Sequence, residues 1–435
     1  MNPLRELKIG LTTVAMRSTV RAVAMTGDPV AKVLGRTALA NPYPYYERIR
    51  AHGEVSKHFF GLYLTAGHGT GRSVLHDPSF GVEPAVDHGG VDWNLDPGDE
   101  HRLIHPIEQS ILTMNPPGHT RLRHLVSPWF TPSALREFTP RVHQIVDDAL
   151  DDISGQAQFD LVDQFAARVP IQVISALFDI PAADQVRFAH WGSVLTGTLD
   201  GIRTLAERRA VHDTVSEMTA LLTGLLADRR AGGGTDVVSK LARSELGQTS
   251  GGVRELVALI GLLLVAGFET TINVISSGAL QLMRDSELRT ALLYDPDLAA
   301  AVVEETLRLE PPVQFTLRKA LQPVSVAGQD LAEGTMLVVL IAGANRDPSA
   351  FPDPLRFDHT RANVRDHLAF SGGAHYCIGA GMARITAAAA LRGLFQRLPG
   401  LTQAGPARYK QTRNIRGCST IPVQHAGTRL SVGEV

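Results

Sequence analysis

A ten-residue loop around the first of two cysteines decides the fold, and it reads Phe370-Ser371-Gly372-Gly373-Ala374-His375-Tyr376-Cys377-Ile378-Gly379. Glycine permits a tight backbone bend and the close approach of a bulky partner, and a helical pattern follows the loop. Backbone N–H groups at the start of that helix would point toward the Cys377 sulfur, and the helix dipole stabilises an anion there. The loop is therefore predicted to hold a thiolate, which could serve as a redox sensor, a covalent nucleophile or a metal ligand.

A second motif, Glu305-Thr306-Leu307-Arg308, lies in an amphipathic stretch that ends at Pro311-Pro312. Residues three apart share one face of a helix, so Glu305 and Arg308 can form an ion pair. Such pairs are common on solvated faces. The leucines between and after them are compatible with burial.

A third motif follows residues 256–268, which carry no polar side chain. The segment is too short to span a bilayer and suits a helix through a core. Glu269, Thr270 and Thr271 then place a carboxyl group and two hydroxyl groups in that helix. Burying such polar groups costs free energy unless they form hydrogen bonds or serve a function. Gly267 lowers helix propensity by about 1 kcal/mol relative to alanine and opens a gap beside the helix. The pattern predicts that this helix faces a ligand.

A fourth motif places His119 and Arg123 four residues apart, after Asn115-Pro116-Pro117-Gly118. Residues at this spacing share one helix face, so the two side chains could together grip an anion. The alternative is the start of a surface helix with routine charges.

Composition narrows the class of protein. The chain has 435 residues, a formal net charge of −2, 44% hydrophobic residues and 20% charged residues. These values argue against a general nucleic-acid binder and against wholesale disorder. Two cysteines cannot supply a zinc ribbon or the four thiolates of a usual iron–sulfur cluster, and they fit a reducing, cytoplasmic setting. The longest uncharged run near the N-terminus, residues 9–16, is too short to cross a bilayer, so membrane association is expected to be peripheral at most.

Considered together, the four motifs resemble the cytochrome P-450 family of haem-thiolate monooxygenases, in particular its soluble actinobacterial or mycobacterial members. The family's order and spacing are kept from about residue 42 to residue 423. The family's haem-binding signature corresponds to Phe370-x-x-Gly373-x-His375-x-Cys377-x-Gly379, and its Glu-x-x-Arg pair corresponds to Glu305-x-x-Arg308. Its oxygen-activating motif corresponds to Ala266-Gly267-x-Glu269-Thr270-Thr271. Its propionate-binding pair corresponds to His119-x-x-x-Arg123. The family often has glycine where Ser371 stands.

The resemblance implies a mainly α fold with small β-sheets, in which helices enclose haem. We expect a single domain over residues 41–435, preceded by an N-terminal helical extension at residues 1–40. Residues 324–326 and 336–341 flank a Gly-rich turn and are predicted to form short strands of one small sheet.

The resemblance also implies roles for individual residues. Cys377 would be the proximal ligand of the iron of haem b, and Glu269 and Thr270 would deliver protons while dioxygen is activated. Haem-binding residues would be His119, Arg123, Ala266, Gly267, Arg318, Phe370, His375 and Gly379. A structural triad behind the haem loop would comprise Glu305, Arg308 and Arg356. The substrate pocket would include Phe268, Val313, Phe315, Thr316 and Cys418.

The implied reaction is the insertion of one oxygen atom from dioxygen into a lipophilic small molecule, as a hydroxylation or an epoxidation. No flavin or nicotinamide domain is evident, so electrons are expected from a separate ferredoxin and its NAD(P)H-dependent reductase, with Arg121 as a docking residue. A peroxide-driven or non-hydroxylating member of the family is the alternative. A cysteine-dependent hydrolase, with Cys377 as nucleophile and His375 as base, would leave the Glu305 and Glu269 motifs unexplained.

Overall fold

A long central helix organises the fold. In the computed structural model, which describes residues 18–20, 22–35, 38–58, 61–83, 104–201 and 204–425, the apolar run at 256–268 lies inside the helix Ser250–Arg284. Thr249 caps its N-terminus, because the threonine side chain accepts a hydrogen bond from the Gly252 N–H. Within the described part of the chain this is the one helix long and apolar enough to cross a membrane, and 83% of its most apolar window is buried inside the protein.

Helices account for most of the architecture. Their bounds are Pro29–Leu34 (α1), Tyr43–Arg50 (α2), His68–His76 (α3), Gly118–Val126 (α4), Pro132–Asp151 (α5), Arg168–Phe178 (α6), Ala182–Gln185 (α7), Phe188–Gly197 (α8), Leu205–Ala231 (α9), Val237–Ala242 (α10), Ser250–Arg284 (α11), Ser286–Tyr294 (α12), Leu298–Leu309 (α13), Ile341–Ala344 (α14) and Ala380–Arg397 (α15). Helix α15 packs against α5, α11 and α13, and this packing fixes the position of the cysteine loop that precedes it.

Short strands form the minor β part. Their bounds are Ser56–Lys57 (β1), Tyr63–Thr65 (β2), Phe80–Gly81 (β3), Gln158–Asp160 (β4), Thr316–Ala320 (β5), Val324–Val326 (β6), Gln329–Leu331 (β7), Met336–Val339 (β8), Leu401–Gln403 (β9), Arg408–Tyr409 (β10), Cys418–Thr420 (β11) and Pro422–His425 (β12). The largest sheet has five strands in the order β1-β2-β8-β5-β3, in which β2 and β8 are parallel.

The prediction of one small sheet from residues 324–326 and 336–341 is wrong in its pairing. Strand β6 forms a hairpin with β7, whereas β8 lies between β2 and β5 in the five-stranded sheet. Ala327 and Gly328 both have positive φ and form a tight turn after β6. This turn pairs β6 with β7, the three residues that follow the turn.

Part of the predicted N-terminal extension packs into the domain. Val30 and Val33 of α1 belong to a buried cluster with Tyr43 and Tyr46 of α2 and with Leu64 of β2. This stretch therefore shares a hydrophobic core with the five-stranded sheet. The division at residue 40 remains a prediction, and residues 1–17 lie outside the described residues.

Candidate active site

Three of the four motifs meet at one cavity of about 410 Å³, and the Glu305-x-x-Arg308 motif contributes only Leu307 to its lining. Helix α11 lies along it and contributes Ala266, Gly267, Glu269, Thr270 and Thr271. The cysteine loop contributes Phe370, Ser371, His375, Cys377 and Gly379, and the remaining predicted cofactor residues that line it are His119, Arg123 and Arg318. Residues more than 250 positions apart in sequence thus share one chamber.

The cysteine loop is held by backbone geometry. The Cys377 N–H donates to the Phe370 carbonyl at 2.9 Å, which closes the loop into a tight turn. Gly373 has φ +62°, and a Cβ at this position would lie 2.4 Å from the Leu75 carbonyl oxygen of α3. Ser371 also adopts positive φ, at 60°, a conformation that favours glycine.

Electrostatics at Cys377 do not match a cysteine nucleophile activated by histidine. Burial raises the pKa of the Cys377 thiol, against the Gly379 N–H and the positive charges of Arg123 and Arg384, which lower it. Burial, together with the charge of Arg318 and of other neighbours, lowers the pKa of His375 to about 3. A thiolate–imidazolium pair would need shifts in the opposite directions, so these pKa shifts do not favour the hydrolase alternative.

A cationic cluster lies at one edge of the cavity. The rings of His119 and His375 are 4.5 Å apart between centroids, and Arg123 Nη2 donates to the Tyr376 carbonyl at 2.8 Å. Arg318 Nη2 donates to Ser371 Oγ at 3.1 Å, and burial lowers the pKa of Arg318 to about 10. Over the described ranges no carboxylate pairs with these four side chains, and His119 Nδ1 is buried without a hydrogen-bond partner. Within the part of the chain that the structure describes, the cluster therefore has no anionic partner.

The polar residues of α11 are partly satisfied within the helix. Thr270 Oγ1 donates to the Ala266 carbonyl at 3.0 Å, and Thr271 Oγ1 donates to the Gly267 carbonyl at 3.0 Å. The gap predicted beside Gly267 is filled on one side by Ile174 of α6, because a Cβ at Gly267 would lie 2.9 Å from the Ile174 Cδ1.

Glu269 has a partner that sequence reasoning missed. Its carboxylate is buried and forms an ion pair with Lys410, which follows β10 and is 141 positions away. The side chain of Lys410 is 21% exposed, so this ion pair connects the cavity wall with the protein surface. No local pattern around Lys410 signals the contact, because it arises only when the β10–β11 hairpin folds onto α11.

The predicted structural triad contains a different third residue. Arg308 donates two hydrogen bonds to the carboxylate of Glu305, both at 2.7 Å, and both side chains are fully buried. The second arginine on Glu305 is Arg361, with Nε at 3.2 Å from Oε1, and not Arg356 as the resemblance implies. Arg356 contributes its carbonyl oxygen, which accepts from Arg308 Nη2 at 3.0 Å.

Three of the five expected substrate-pocket residues line the cavity, namely Val313, Phe315 and Thr316. The other two lie elsewhere. Phe268 is buried against Gly192 of α8, where a Cβ would come within 2.3 Å of its ring. Cys418 is buried in β11, beside Tyr409 of β10. Helix α11 turns only one face to the cavity, and Phe268 lies on another face.

Comparison with known proteins decides the family. A family model described as Cytochrome P-450 matches residues 236–405. Cytochrome P-450 140 of Mycobacterium tuberculosis is 36% identical to this chain, over 98% of the chain and 100% of that protein. The chain belongs to the cytochrome P-450 family. It is also 33% identical to the cytochrome P-450 monooxygenase PikC of Streptomyces venezuelae, over 90% of this chain and 92% of PikC.

Solved structures agree with this assignment. The ligand-free crystal structure of CYP164A2 from Mycobacterium smegmatis matches with a TM-score of 0.80 and 31% identity, and covers 91% of this chain and 99% of that chain. The expected mainly α fold with small sheets is confirmed, as is the bacterial type. The protein is a monooxygenase of a family that binds haem b and uses dioxygen as co-substrate.

The residues present fit haem b. The cationic cluster, which pairs with no carboxylate among the described residues, suits the two propionate groups, since guanidinium and imidazole N–H groups bind carboxylates well. Cys377 opens onto the same cavity and offers one thiolate ligand, and Gly379 lines the cavity beside it without a side chain.

Proposed function

We propose that this cytochrome P-450 uses Cys377 as the proximal thiolate ligand of haem b and inserts one oxygen atom from dioxygen into a lipophilic small molecule. The observation that supports this proposal is that Cys377, the cationic cluster and the Glu269–Thr270 pair all line one cavity. Bound haem supplies the oxygen-activating chemistry, and a thiolate ligand favours cleavage of the O–O bond. The chain contributes binding, orientation and proton control.

The cavity lining supports a lipophilic substrate. Apolar side chains dominate, and those outside the cysteine loop include Ile107, Ile111, Val173, Ile174, Leu199, Leu262, Leu263, Val265, Val313, Phe315 and Ile415. Such a surface binds apolar groups through the hydrophobic effect, while a few polar groups fix orientation.

A ligand screen followed by isotope labelling tests the proposed reaction. Purified haem-loaded protein is titrated with a panel of apolar and charged compounds, and binding is read from the shift of the haem absorption band. We expect apolar compounds to bind, and the product of a bound compound to gain one oxygen atom from isotope-labelled dioxygen. Incorporation of oxygen from water alone would contradict a monooxygenase reaction on that compound.

Proton delivery is assigned to Glu269 and Thr270. The Glu269 carboxylate is connected to the surface through Lys410, and the hydroxyl of Thr270 faces the same cavity. We propose that a proton passes from solvent by way of Lys410 to the Glu269 carboxylate and then through water to Thr270 Oγ1, while the hydroxyl proton that Thr270 held moves on into the cavity. This intact pair favours the dioxygen route over the peroxide-driven alternative.

Replacing Thr270 by alanine is expected to leave haem binding intact and to divert reducing equivalents into hydrogen peroxide, because the hydroxyl that relays the proton is lost. The measurement is product formed per reducing equivalent consumed. Thr270→Ser should restore most of the coupling. Thr271→Ala is the matched control, since Thr271 makes the same type of helix hydrogen bond. An unchanged ratio in Thr270→Ala would remove Thr270 from the relay.

Electrons are proposed to come from a small acidic ferredoxin reduced by an NAD(P)H-dependent reductase. Arg121, expected at the docking site, forms an ion pair with Glu255 of α11 at 2.7 Å, so its charge is already compensated. Two other exposed arginines lie on elements that pack against the cysteine loop or against the start of the helix that follows it. Arg72 belongs to α3, which contacts Gly373, and Arg136 follows Leu135, which contacts Gly381.

Charge reversal at Arg72 and Arg136 is expected to slow reduction by ferredoxin, most strongly at low ionic strength, because charge steering accelerates encounter and is screened by salt. Stopped-flow reduction with ferredoxin and with dithionite gives the measurement, and the dithionite rate should not change. Arg397→Glu, far along α15, is the control. Equal ferredoxin rates in the double variant and the parent across a salt series would reject this docking face.

A cytoplasmic location is also proposed. Cys377 and Cys418 are both free thiols, which suits a reducing compartment. The apolar helix α11 is mostly buried in the protein core, so its hydrophobicity is explained by packing. Nucleic-acid binding is not expected from a net charge of −2.

A further inference from the structure

A second ion pair, formed by a buried carboxylate and a partly exposed arginine, lies behind the cysteine loop, next to the Glu305–Arg308 pair but separate from it. Arg384 of α15 donates to both carboxylate oxygens of Glu304 of α13, with Nε–Oε1 at 2.5 Å and Nη2–Oε2 at 3.1 Å. The Glu304 side chain is 5% exposed and that of Arg384 is 28% exposed. The carboxylate therefore holds the guanidinium in one orientation.

His367 completes this arrangement from the segment before the loop. Its Nε2 lies 3.1 Å from Glu304 Oε2, and its Nδ1 accepts a hydrogen bond from the Ala369 N–H at 3.3 Å. The ring hydrogen is therefore on Nε2 and points at the carboxylate. Although burial raises the pKa of Glu304, hydrogen bonds from His367 and Arg384 outweigh it and lower that pKa to about 2, so the group is an anion at neutral pH.

Arg384 also contacts the loop itself. Its guanidinium carbon lies 4.4 Å from the centroid of the Phe370 ring, and its Nη1 donates to the Tyr376 hydroxyl at 3.3 Å. Phe370 accepts the backbone hydrogen bond from Cys377, and Tyr376 is the residue before Cys377. The arginine thus touches the two residues that determine where Cys377 sits.

We propose that Arg384, aligned by Glu304 and His367, is a positioning residue that clamps the cysteine loop through Phe370 and Tyr376 and sets the reduction potential of the haem bound at Cys377. The inference rests on the proposed role of Cys377 as ligand. It extends that role to residues outside the signature motif.

The sign of each effect follows from Coulomb's law. Reduction adds one electron to the haem, so a positive charge nearby favours the reduced state and a negative charge opposes it. In the parent protein the charges of Arg384 and Glu304 partly cancel. Removing Glu304 leaves the guanidinium uncompensated and should raise the potential, whereas removing Arg384 leaves the carboxylate and should lower it.

The test is the midpoint potential of the haem in Glu304→Gln and Arg384→Gln, measured in haem-loaded protein by spectroelectrochemical titration. We expect shifts of opposite sign, each on the order of a tenfold change in the ratio of reduced to oxidised protein at fixed potential, about 59 mV for a one-electron couple. Arg384→Lys keeps the charge and should stay closer to the parent than Arg384→Gln does. Arg397→Gln, 13 residues further along α15 and so about 20 Å away, should not shift the potential.

The outcomes separate a potential-setting role from a merely structural one. The inference would be overturned if Glu304→Gln and Arg384→Gln had the same potential as Arg397→Gln, or if both shifted the potential in the same direction. It would also be overturned if Arg384→Lys lowered the potential as much as Arg384→Gln does. If Arg384→Gln does not retain haem, Glu304→Gln decides alone: a raised potential supports the inference and any other result overturns it. The carbon-monoxide spectrum of the parent reports independently on Cys377, so failure of the ligand assignment is recognised separately.

Discussion

Replacing Arg308 by alanine is expected to leave almost no soluble, haem-loaded protein. Arg308 makes five hydrogen bonds, two of them to Glu305 and three to the carbonyl oxygens of Asn345, Pro354 and Arg356. Its removal leaves Arg361 as the remaining cation beside the fully buried Glu305 carboxylate. It also removes the hydrogen bonds that hold the segment at residues 345–356 against α13. Removal of one partner from a buried ion pair costs about 3–5 kcal/mol.

That cost is a large part of the 5–15 kcal/mol by which a typical domain is stable. Haem content per polypeptide and the thermal unfolding midpoint give the measurement. Arg121→Ala is the matched control, because its ion pair with Glu255 is exposed and such pairs contribute only about 0.2–1 kcal/mol. Parental haem content and melting temperature in Arg308→Ala would contradict the assignment of a structural role to the buried pair.

A comparison of two nearby arginines tests the corrected triad. Arg361→Ala should lower the unfolding midpoint, because the Arg361 side chain bonds Glu305 and the carbonyls of Pro352, Asp353 and Arg356. Arg356→Ala should have a smaller effect, since the bond to Arg308 uses the backbone of Arg356. Equal destabilisation by the two substitutions would contradict this division of roles.

Much of the site could be predicted from the spacing of residues that are close together in the sequence. Glu305 and Arg308 are three residues apart, and His119 and Arg123 are four apart, so helical geometry alone placed each pair on one face. The glycines around Cys377 likewise predicted a tight loop before a helix, and that is the observed arrangement. Each of these inferences concerned residues within one or two helical turns.

Contacts between distant segments could not be predicted. Lys410 reaches Glu269 across 141 positions, and Arg384 reaches Glu304 across 80. The irregular segment before the loop has no periodicity, so nothing in the sequence distinguished Arg356 from Arg361 as the partner of Glu305. Phe268 was misplaced for a related reason, because the rotation of α11 about its own axis is set by its packing against α8.

Replacing Cys377 by alanine is expected to abolish thiolate ligation of the haem and to reduce haem retention. The reason is geometric, because Cys377 is the cysteine that lines the cavity, while the other thiol, Cys418, is buried in β11 away from it. Cys418→Ala is therefore the matched control, and it should keep the parental haem spectrum. Loss of the thiolate spectrum in Cys418→Ala, with Cys377 intact, would reverse the assignment.

The absorption spectrum of the reduced carbon-monoxide complex is the most direct measurement, because the position of its Soret band reports whether a thiolate is bound to the haem iron. For the parent protein and for Cys418→Ala we predict the strongly red-shifted band of thiolate-ligated haem. For Cys377→Ala we predict that this band is missing from whatever haem-bound protein remains. A parent protein without the band, or a Cys377→Ala variant that retains it, would contradict the proposal that Cys377 binds the iron.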